Sequence, residues 1–352
     1  MSWRKKLFWS VFSVGLAALS IWAVMSQSRK WSLAGIVESL RSADPVWLLA
    51  AVLCTVLFVV LEGAALGVLL KGIDCGKPFS HCLVYSTSDI YFSAITPSAT
   101  GGQPASAYFM IRDGVPAGVA TVTLLVNLIL YTVSLIILGL GSVIFYPRLF
   151  FGLRLLSRVL IAVGFAIQVL LIVLFFALLG KASAVFGLLR RLVRFLHSKK
   201  LIIRLGARLR KLDSAQEEYE ACAKLMKGRG PMLVKALLVN ILQRAAVLAV
   251  PMCIYLSLGG QLRHAGLLFA SQCLVVLGYA PVPIPGAMGV ADYLMVDAFS
   301  CLGFILVEDA IRLEMLSRGL SFYICVAVSG IVTLIGYSVQ RRREKKKGTD
   351  PA

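Results

Sequence analysis

Ionisable side chains inside long apolar runs are the residues of this sequence best placed to do chemistry. Asp89, Asp292 and Arg318 each stand within such a run. A charged group at membrane depth is costly, and it usually faces a partner or a water-filled cavity. Each aspartate therefore has one of two kinds of role. A functional role is to bind a substrate or a proton, and a structural role is to cap a helix or to form a buried ion pair. Glu314, one helical turn before Arg318, is in position to pair with it.

Neutral polar side chains along the apolar runs add weaker candidates: Asn127, Gln168, Asn240, Gln243 and Gln272. Among these we include Asn127 in the predicted site. Arg244 also lies in an apolar run, and we interpret it as a snorkelling side chain whose guanidinium reaches the membrane interface.

Two stretches rich in proline and glycine interrupt the apolar runs close to the aspartates. Segment 96–104 follows Asp89, and segment 281–289 precedes Asp292. Backbone groups freed from helical hydrogen bonds at such breaks can bind the phosphate or hydroxyl groups of a substrate. The predicted binding residues at the breaks are Pro97, Gly101, Gly102, Gln103, Pro283, Pro285, Gly286 and Gly289.

Composition sets the class of protein. Hydrophobic residues make up 59% of the 352 residues and charged residues only 15%, and the mean hydropathy is +0.86. A soluble fold could not hide that much apolar surface. The net charge of +19 lies in loops and at the C-terminus, which is typical of a positive inner membrane face and not of nucleic-acid binding. We predict no catalytic residues, no metal site and no cofactor, because no phosphate loop, nucleophile elbow or metal-ligand spacing occurs.

The positions of the apolar runs predict the topology. A strongly basic segment, 181–230, must be cytoplasmic by the positive-inside rule. The runs before it are 7–25, 46–70, 81–111, 115–146 and 159–180, and those after it are 232–258, 265–304 and 314–339. With a cytoplasmic N-terminus, an even number of crossings must precede residue 181. Five runs precede it, so one of them crosses twice or not at all, and the broken run 81–111 is the natural candidate.

The same count of membrane crossings, applied to the second half of the chain, predicts that the run 265–304 is a hairpin that enters from the opposite membrane face. The expected architecture is an all-α integral membrane protein with about six full spans and two broken re-entrant helical hairpins, related as in inverted repeats. Ordinary spans kinked by proline are the alternative, which fails mainly on the parity of the crossings. Irregular backbone at membrane depth must be covered by protein or line a cavity.

One polytopic membrane domain is expected over 1–352, with a basic cytoplasmic loop at 181–230 and a basic cytoplasmic tail at 340–352. Within the loop, residues 188–196 interleave apolar and basic side chains. That spacing suits either a basic amphipathic helix on the inner leaflet or a solvated loop.

The break sequences resemble a known family. The stretch 96–104 with Ala107 and Tyr108, and the stretch 283–292 with Arg318, are similar to the flippase-like transmembrane region of lysylphosphatidylglycerol synthases, the MprF type. This chain has Gln103, Ser106 and Asp292 where that family often has Glu, Arg and Glu. The resemblance implies movement of aminoacylated phosphatidylglycerol between leaflets. We expect the separate synthase domain of full-length relatives to be missing here, and hence no lysyltransferase activity.

Three functional hypotheses remain at this point. The leading one is a lipid translocase that moves an aminoacylated or otherwise modified phospholipid or glycolipid. The others are a membrane scaffold that recruits a separately encoded lipid-modifying enzyme, and a secondary transporter of small solutes. The expected partners are membrane lipids, anionic or aminoacylated, and a homo-oligomer is left open. The expected location is the bacterial cell membrane, with both termini cytoplasmic.

Overall fold

The computed structural model of the chain describes residues 41–96, 100–198, 205–282, 287 and 289–347. The predicted first span, 7–25, lies outside the described residues. So do residues 97–99 of the first break and residues 283–286 and 288 of the second.

Every regular element of the described part is a helix, as an all-α membrane protein requires. The α-helices are α1 (Pro45–Gly72), α2 (Phe79–Ile95), α3 (Gly102–Arg112), α4 (Ala117–Phe145), α5 (Pro147–Gly152), α6 (Leu155–Ser198), α7 (Leu205–Met226), α8 (Gly230–Leu248), α9 (Val250–Ser257), α10 (Ala265–Tyr279), α11 (Val290–Ser300), α12 (Val307–Arg318) and α13 (Cys325–Lys347). A short 3₁₀ turn (Leu262–His264) precedes α10, and a π-helical turn (Gly319–Ile324) joins α12 to α13.

Six helical stretches of the described part are long and apolar enough to cross a membrane: Pro45–Gly72, Ala117–Phe145, Leu155–Ala177, Gly230–Ser257, Leu262–Tyr279 and Val307–Arg341. Five of them coincide with predicted full spans. The sixth, Leu262–Tyr279, is the first arm of the second broken run. The predicted start of the last span at Glu314 is wrong, because the helix begins at Val307 and continues through the π-helical turn.

Polar and apolar residues are distributed as expected for a protein surrounded by lipid. Exposed faces of the spanning helices carry large apolar side chains such as Leu53, Leu170 and Leu334. Buried positions include polar and charged side chains such as Glu62 and Arg318. A soluble protein shows the opposite distribution, so the described helices present their apolar surface outward.

The two broken runs each fold into a helical hairpin. In the first, α2 packs on α3, and Asp113 at the end of α3 binds side chains from the start of α2. Its main-chain carbonyl accepts from Lys77 Nζ at 2.7 Å, and its carboxylate contacts His81 Nδ1 at 2.8 Å and accepts from Tyr85 at 2.7 Å. Both ends of this hairpin therefore lie together.

The second hairpin is formed by α10 and α11, and its ends also meet. The ring of His264, just before α10, stacks on the ring of Phe304, beyond α11, with centroids 3.8 Å apart. Tyr255 in α9 contacts His264 Nδ1 at 3.1 Å. Aromatic stacking thus closes the base of the second hairpin. Ionic and hydrogen-bonding groups close the base of the first hairpin.

Helix α1 shows that the two hairpin bases lie at opposite ends of the helical bundle. Its 28 residues span about 42 Å. At its first end, Asp44 N donates to Ser257 O of α9 at 2.7 Å, beside the base of the second hairpin. At its last end, Asp74 pairs with Arg229 at 3.1 Å, and the chain enters the first hairpin. The two hairpin bases are therefore separated by the length of a spanning helix.

The basic segment 181–230 is largely helical. Helix α6 has 44 residues, about 66 Å, and runs past the end of its apolar part at Ala177. Helix α7 packs back on it, and Arg190 joins the two helices through Asp213 at 2.7 Å and Gln216 at 2.7 Å. The predicted basic segment between spans therefore contains a pair of packed helices. Residues 188–196 continue a spanning helix and do not form a separate one.

Candidate functional site

The break of the first hairpin brings Asp89 against the start of α3. Gly101 N donates to Thr96 Oγ1 at 2.9 Å, which caps the new helix. Gly102 lies so close to Asp89 Oδ1 and Ser93 Oγ that no side chain fits there. Glycine at 102 thus allows the two arms to pack on each other at the depth of the aspartate. The helix resumes at Gly102, earlier than the predicted end of the break at residue 104.

The break of the second hairpin ends at Gly289, whose φ of +81° favours glycine. Gly289 N donates to Asp292 Oδ2 at 2.9 Å, so Asp292 caps the first turn of α11. Asp292 Oδ1 also pairs with Arg318 Nη1 at 2.7 Å. Both structural roles anticipated for this aspartate are therefore present in the fold.

Asp292, Glu314 and Arg318 form what we call the α11–α12 cluster. Arg318 Nε lies 3.8 Å from Glu314 Oε1, so the predicted pair exists, although the contact with Asp292 is shorter. The carboxyl groups of Glu314 and Asp292 interact with each other. This cluster contains two carboxyl groups and one guanidinium.

A second cluster, which we call the α1–α8 cluster, is centred on Glu62 of α1. Its carboxylate accepts from Asn127 Nδ2 at 2.7 Å and from Gln243 Nε2, and it lies 3.6 Å from Arg244 Nη2. Asn240 Nδ2 extends this network by donating to Asn127 Oδ1 at 3.1 Å. The predicted site residue Asn127 therefore belongs to this network and not to a hairpin break.

Arg244 is buried, and the interpretation of this residue as a snorkelling side chain is wrong. Its guanidinium lies 4.0 Å from the ring centroid of Tyr131 and 4.8 Å from that of Phe58, and its Nε donates to Gln243. Such a site favours a cation that is held by carboxylate and aromatic faces. Glu62 was missed in the sequence, although an acidic residue inside a 28-residue apolar helix is a visible indication.

Tyr279 connects the two clusters electrostatically. The phenol of Tyr279, half-buried at the end of α10, interacts with Arg244, Arg318 and Asp292. Tyr131, which stacks with Arg244, also interacts with Tyr279. Ionisable groups near the two hairpin breaks therefore form one polar region inside the helical bundle.

A cavity of about 390 Å³ reaches the α11–α12 cluster. It lies between α11 and α12, and its lining includes Asp292, Glu314, Asp297 and Arg154. Asp297 is buried and accepts from Ser157 Oγ and from Arg154 N, while the exposed Arg154 side chain lies 3.3 Å from it. Neither Asp297 nor Arg154 was predicted. The volume falls within the range typical of small-molecule sites.

Comparison with known protein families matches residues 10–329 to the lysylphosphatidylglycerol synthase TM region. The chain belongs to this family. No curated protein matches the sequence, and no solved structure matches the chain. The family membership confirms the resemblance seen in the break sequences, and it makes this a membrane protein related to lysylphosphatidylglycerol synthesis.

The predicted site residues of this family member fall into four groups. Asp89, Gly101, Gly102 and Gln103 lie at the first break, and Gly289, Asp292 and Arg318 lie at the second break and beside it. Asn127 lies in the α1–α8 cluster. The remaining predicted residues are outside the described part of the chain: Pro97, Pro283, Pro285 and Gly286.

Proposed function

We propose that this protein is a lipid translocase that moves a phospholipid with a positively charged headgroup between leaflets, without synthesising it. The observation that carries the proposal is the cavity between α11 and α12, which leads to Asp292 and Glu314. Carboxyl groups in the lining of a cavity of this size can bind a charged headgroup. Family membership supports a lipid substrate.

The charge of the cavity favours a cation. Asp292, Glu314 and Asp297 bring three carboxyl groups to the lining, whereas Arg154 and the adjoining Arg318 bring two guanidinium groups. An ammonium group that enters would meet an excess of carboxylate and would form charge-assisted hydrogen bonds. An aminoacylated phosphatidylglycerol offers such a group, and unmodified phosphatidylglycerol does not.

The opposed hairpins support alternating access. Their bases lie at opposite ends of α1, and α2 and α3 have only 17 and 11 residues, about 25 and 16 Å. Each arm is shorter than the hydrocarbon core of about 30 Å. In our proposal the first hairpin enters from the cytoplasmic side, where Lys77, Arg112 and Arg229 lie, and the second enters from outside. The protein is placed in the cell membrane with both termini cytoplasmic.

The test is a sidedness assay in proteoliposomes with a fluorescent aminoacylated phospholipid and, in parallel, fluorescent phosphatidylglycerol. Asp292→Asn is expected to lower translocation of the cationic lipid by about 10- to 100-fold, the effect of losing one charged contact of about 1.5–3 kcal/mol. Asp74→Asn is the matched control, because Asp74 is exposed and lies far from the cavity. A thermal melt of each preparation separates lost transport from lost folding.

Two results would contradict this proposal. One is equal translocation of the cationic lipid by wild type and by a stably folded Asp292→Asn variant. The other is no change in lipid sidedness with wild-type protein. The second result would favour a membrane scaffold, for which the basic helix pair α6–α7 provides a docking element.

A further inference from the structure

The α1–α8 cluster does not line the proposed headgroup cavity, yet it contains buried ionisable groups. Glu62 is 6% exposed and Arg244 is 8% exposed. Two amide side chains and the guanidinium already satisfy the Glu62 carboxylate. The charges of Glu62 and Arg244 therefore compensate each other.

Asp89 adds a second carboxyl group to this cluster. Within the described residues its side chain has one hydrogen bond, from Ser93 Oγ at 3.2 Å. The charged side chains that act on it are Glu62 of α1, which repels it, and Arg244 of α8, which attracts it. Of the other helices packed on α2, α3 places Gly102 against the carboxyl group. Among the described residues the cluster then has two carboxyl groups and one guanidinium, so its carboxyl groups outnumber its cations by one.

A proton is the cation that this site fits best. The groups around Glu62 are N–H donors, which bind anions and repel a metal ion. In the part of the chain that the structure describes, no group of three or more His, Cys, Asp or Glu side chains could hold a metal. An excess carboxylate in a low-dielectric interior is costly, and binding one proton removes its charge without any further ligand.

The position of Asp89 links its charge to the geometry of the first hairpin. Asp89 is on α2, and Gly102 opens α3 across the break, with no space between them for even a Cβ atom. A change in the charge of this carboxyl group thus acts directly on the packing of one hairpin arm on the other. We propose that Asp89, within the Glu62–Arg244 environment, binds the proton that couples lipid translocation to a proton gradient.

This inference rests on the proposed translocase function and is tested in the same proteoliposomes. The membrane potential is clamped, an internal pH-sensitive dye reports proton flux, and lipid sidedness is measured with and without a gradient of one pH unit. For one coupled proton per lipid, that gradient is expected to shift the steady-state distribution of the cationic lipid by roughly tenfold. A protonophore should abolish the shift. Lipid-dependent proton flux should accompany translocation.

Asp89→Asn, which keeps the size of the side chain, is expected to lose lipid-dependent proton flux and the tenfold shift while still equilibrating lipid between leaflets. Asp74→Asn should behave as wild type. If wild-type translocation does not depend on the pH gradient and is not accompanied by proton flux, the proposed coupling is wrong, while the translocase proposal stands. Absence of wild-type translocation under every condition would overturn both. If Asp89→Asn does not fold, the wild-type flux measurement alone tests whether lipid translocation is coupled to protons.

Discussion

Removal of Glu62 is the sharpest test of how the interior is held together. In Glu62→Leu, two amide donors and a buried guanidinium lose their shared acceptor. Hydrogen bonds to a charged group contribute about 1.5–3 kcal/mol each, and breaking a buried ion pair by removing one partner costs about 3–5 kcal/mol. Because the amide groups can find other partners within the membrane, we expect a loss of about 3–5 kcal/mol in total.

The assay is the free energy of unfolding in mixed micelles, measured beside wild type. Glu217→Leu serves as the control, since Glu217 is exposed on α7, and it should change stability by no more than about 0.5 kcal/mol. Changing Arg244 to Met in the Glu62→Leu background removes the uncompensated cation and keeps an apolar side chain between Phe58 and Tyr131. The double variant should therefore be more stable than Glu62→Leu alone, by about 1–3 kcal/mol.

Two outcomes would refute this reasoning. One is a loss below about 1 kcal/mol in Glu62→Leu, which would mean that the carboxylate is not a shared acceptor. The other is a double variant whose loss equals the sum of the two single losses, which would show that Glu62 and Arg244 do not interact.

Three further predictions concern the first hairpin. Single cysteines at positions 77 and 112, in a cysteine-free background, should react with an impermeant thiol reagent from the same side of the membrane; labelling from opposite sides would rule out a re-entrant hairpin. Gly102→Ala should destabilise the protein by about 1–3 kcal/mol in a thermal or denaturant melt, because the new methyl group overlaps Asp89, and an unchanged melt would show that the arms can separate freely. Asp113→Asn should weaken the base of the first hairpin, where one carboxylate holds His81 and Tyr85, and should increase proteolysis there. An unchanged rate of proteolysis would show that this carboxylate does not stabilise the hairpin base.

Much of the helical architecture could be predicted from the sequence. A bilayer demands about 20 apolar residues per span, so the apolar runs had to be helices. Prolines and glycines at residues 96–104 and 281–289 marked the interruptions, because such residues break helical hydrogen bonding. The structure places a hairpin at each interruption. The entry of each hairpin from one membrane face stays a prediction, which the labelling experiment addresses.

The pairing of the ionisable groups could not be predicted in the same way. The sequence located Asp89, Asp292 and Arg318, but Arg244 was assigned to the interface and Glu62 was overlooked. A long cationic side chain in a spanning helix can reach the interface or a buried acid, and sequence position does not distinguish the two. Its partner Glu62 lies on another helix, far away along the chain.

The sequence by itself determined the membrane class, the helices and the positions of the breaks, because these follow from local constraints that lipid imposes on every segment. Only the tertiary structure decided that Glu62 holds Arg244 and that a cavity beside Asp292 opens between α11 and α12. These features depend on contacts between residues that are distant in the chain. Such contacts are set by how whole helices pack, and no single segment encodes them.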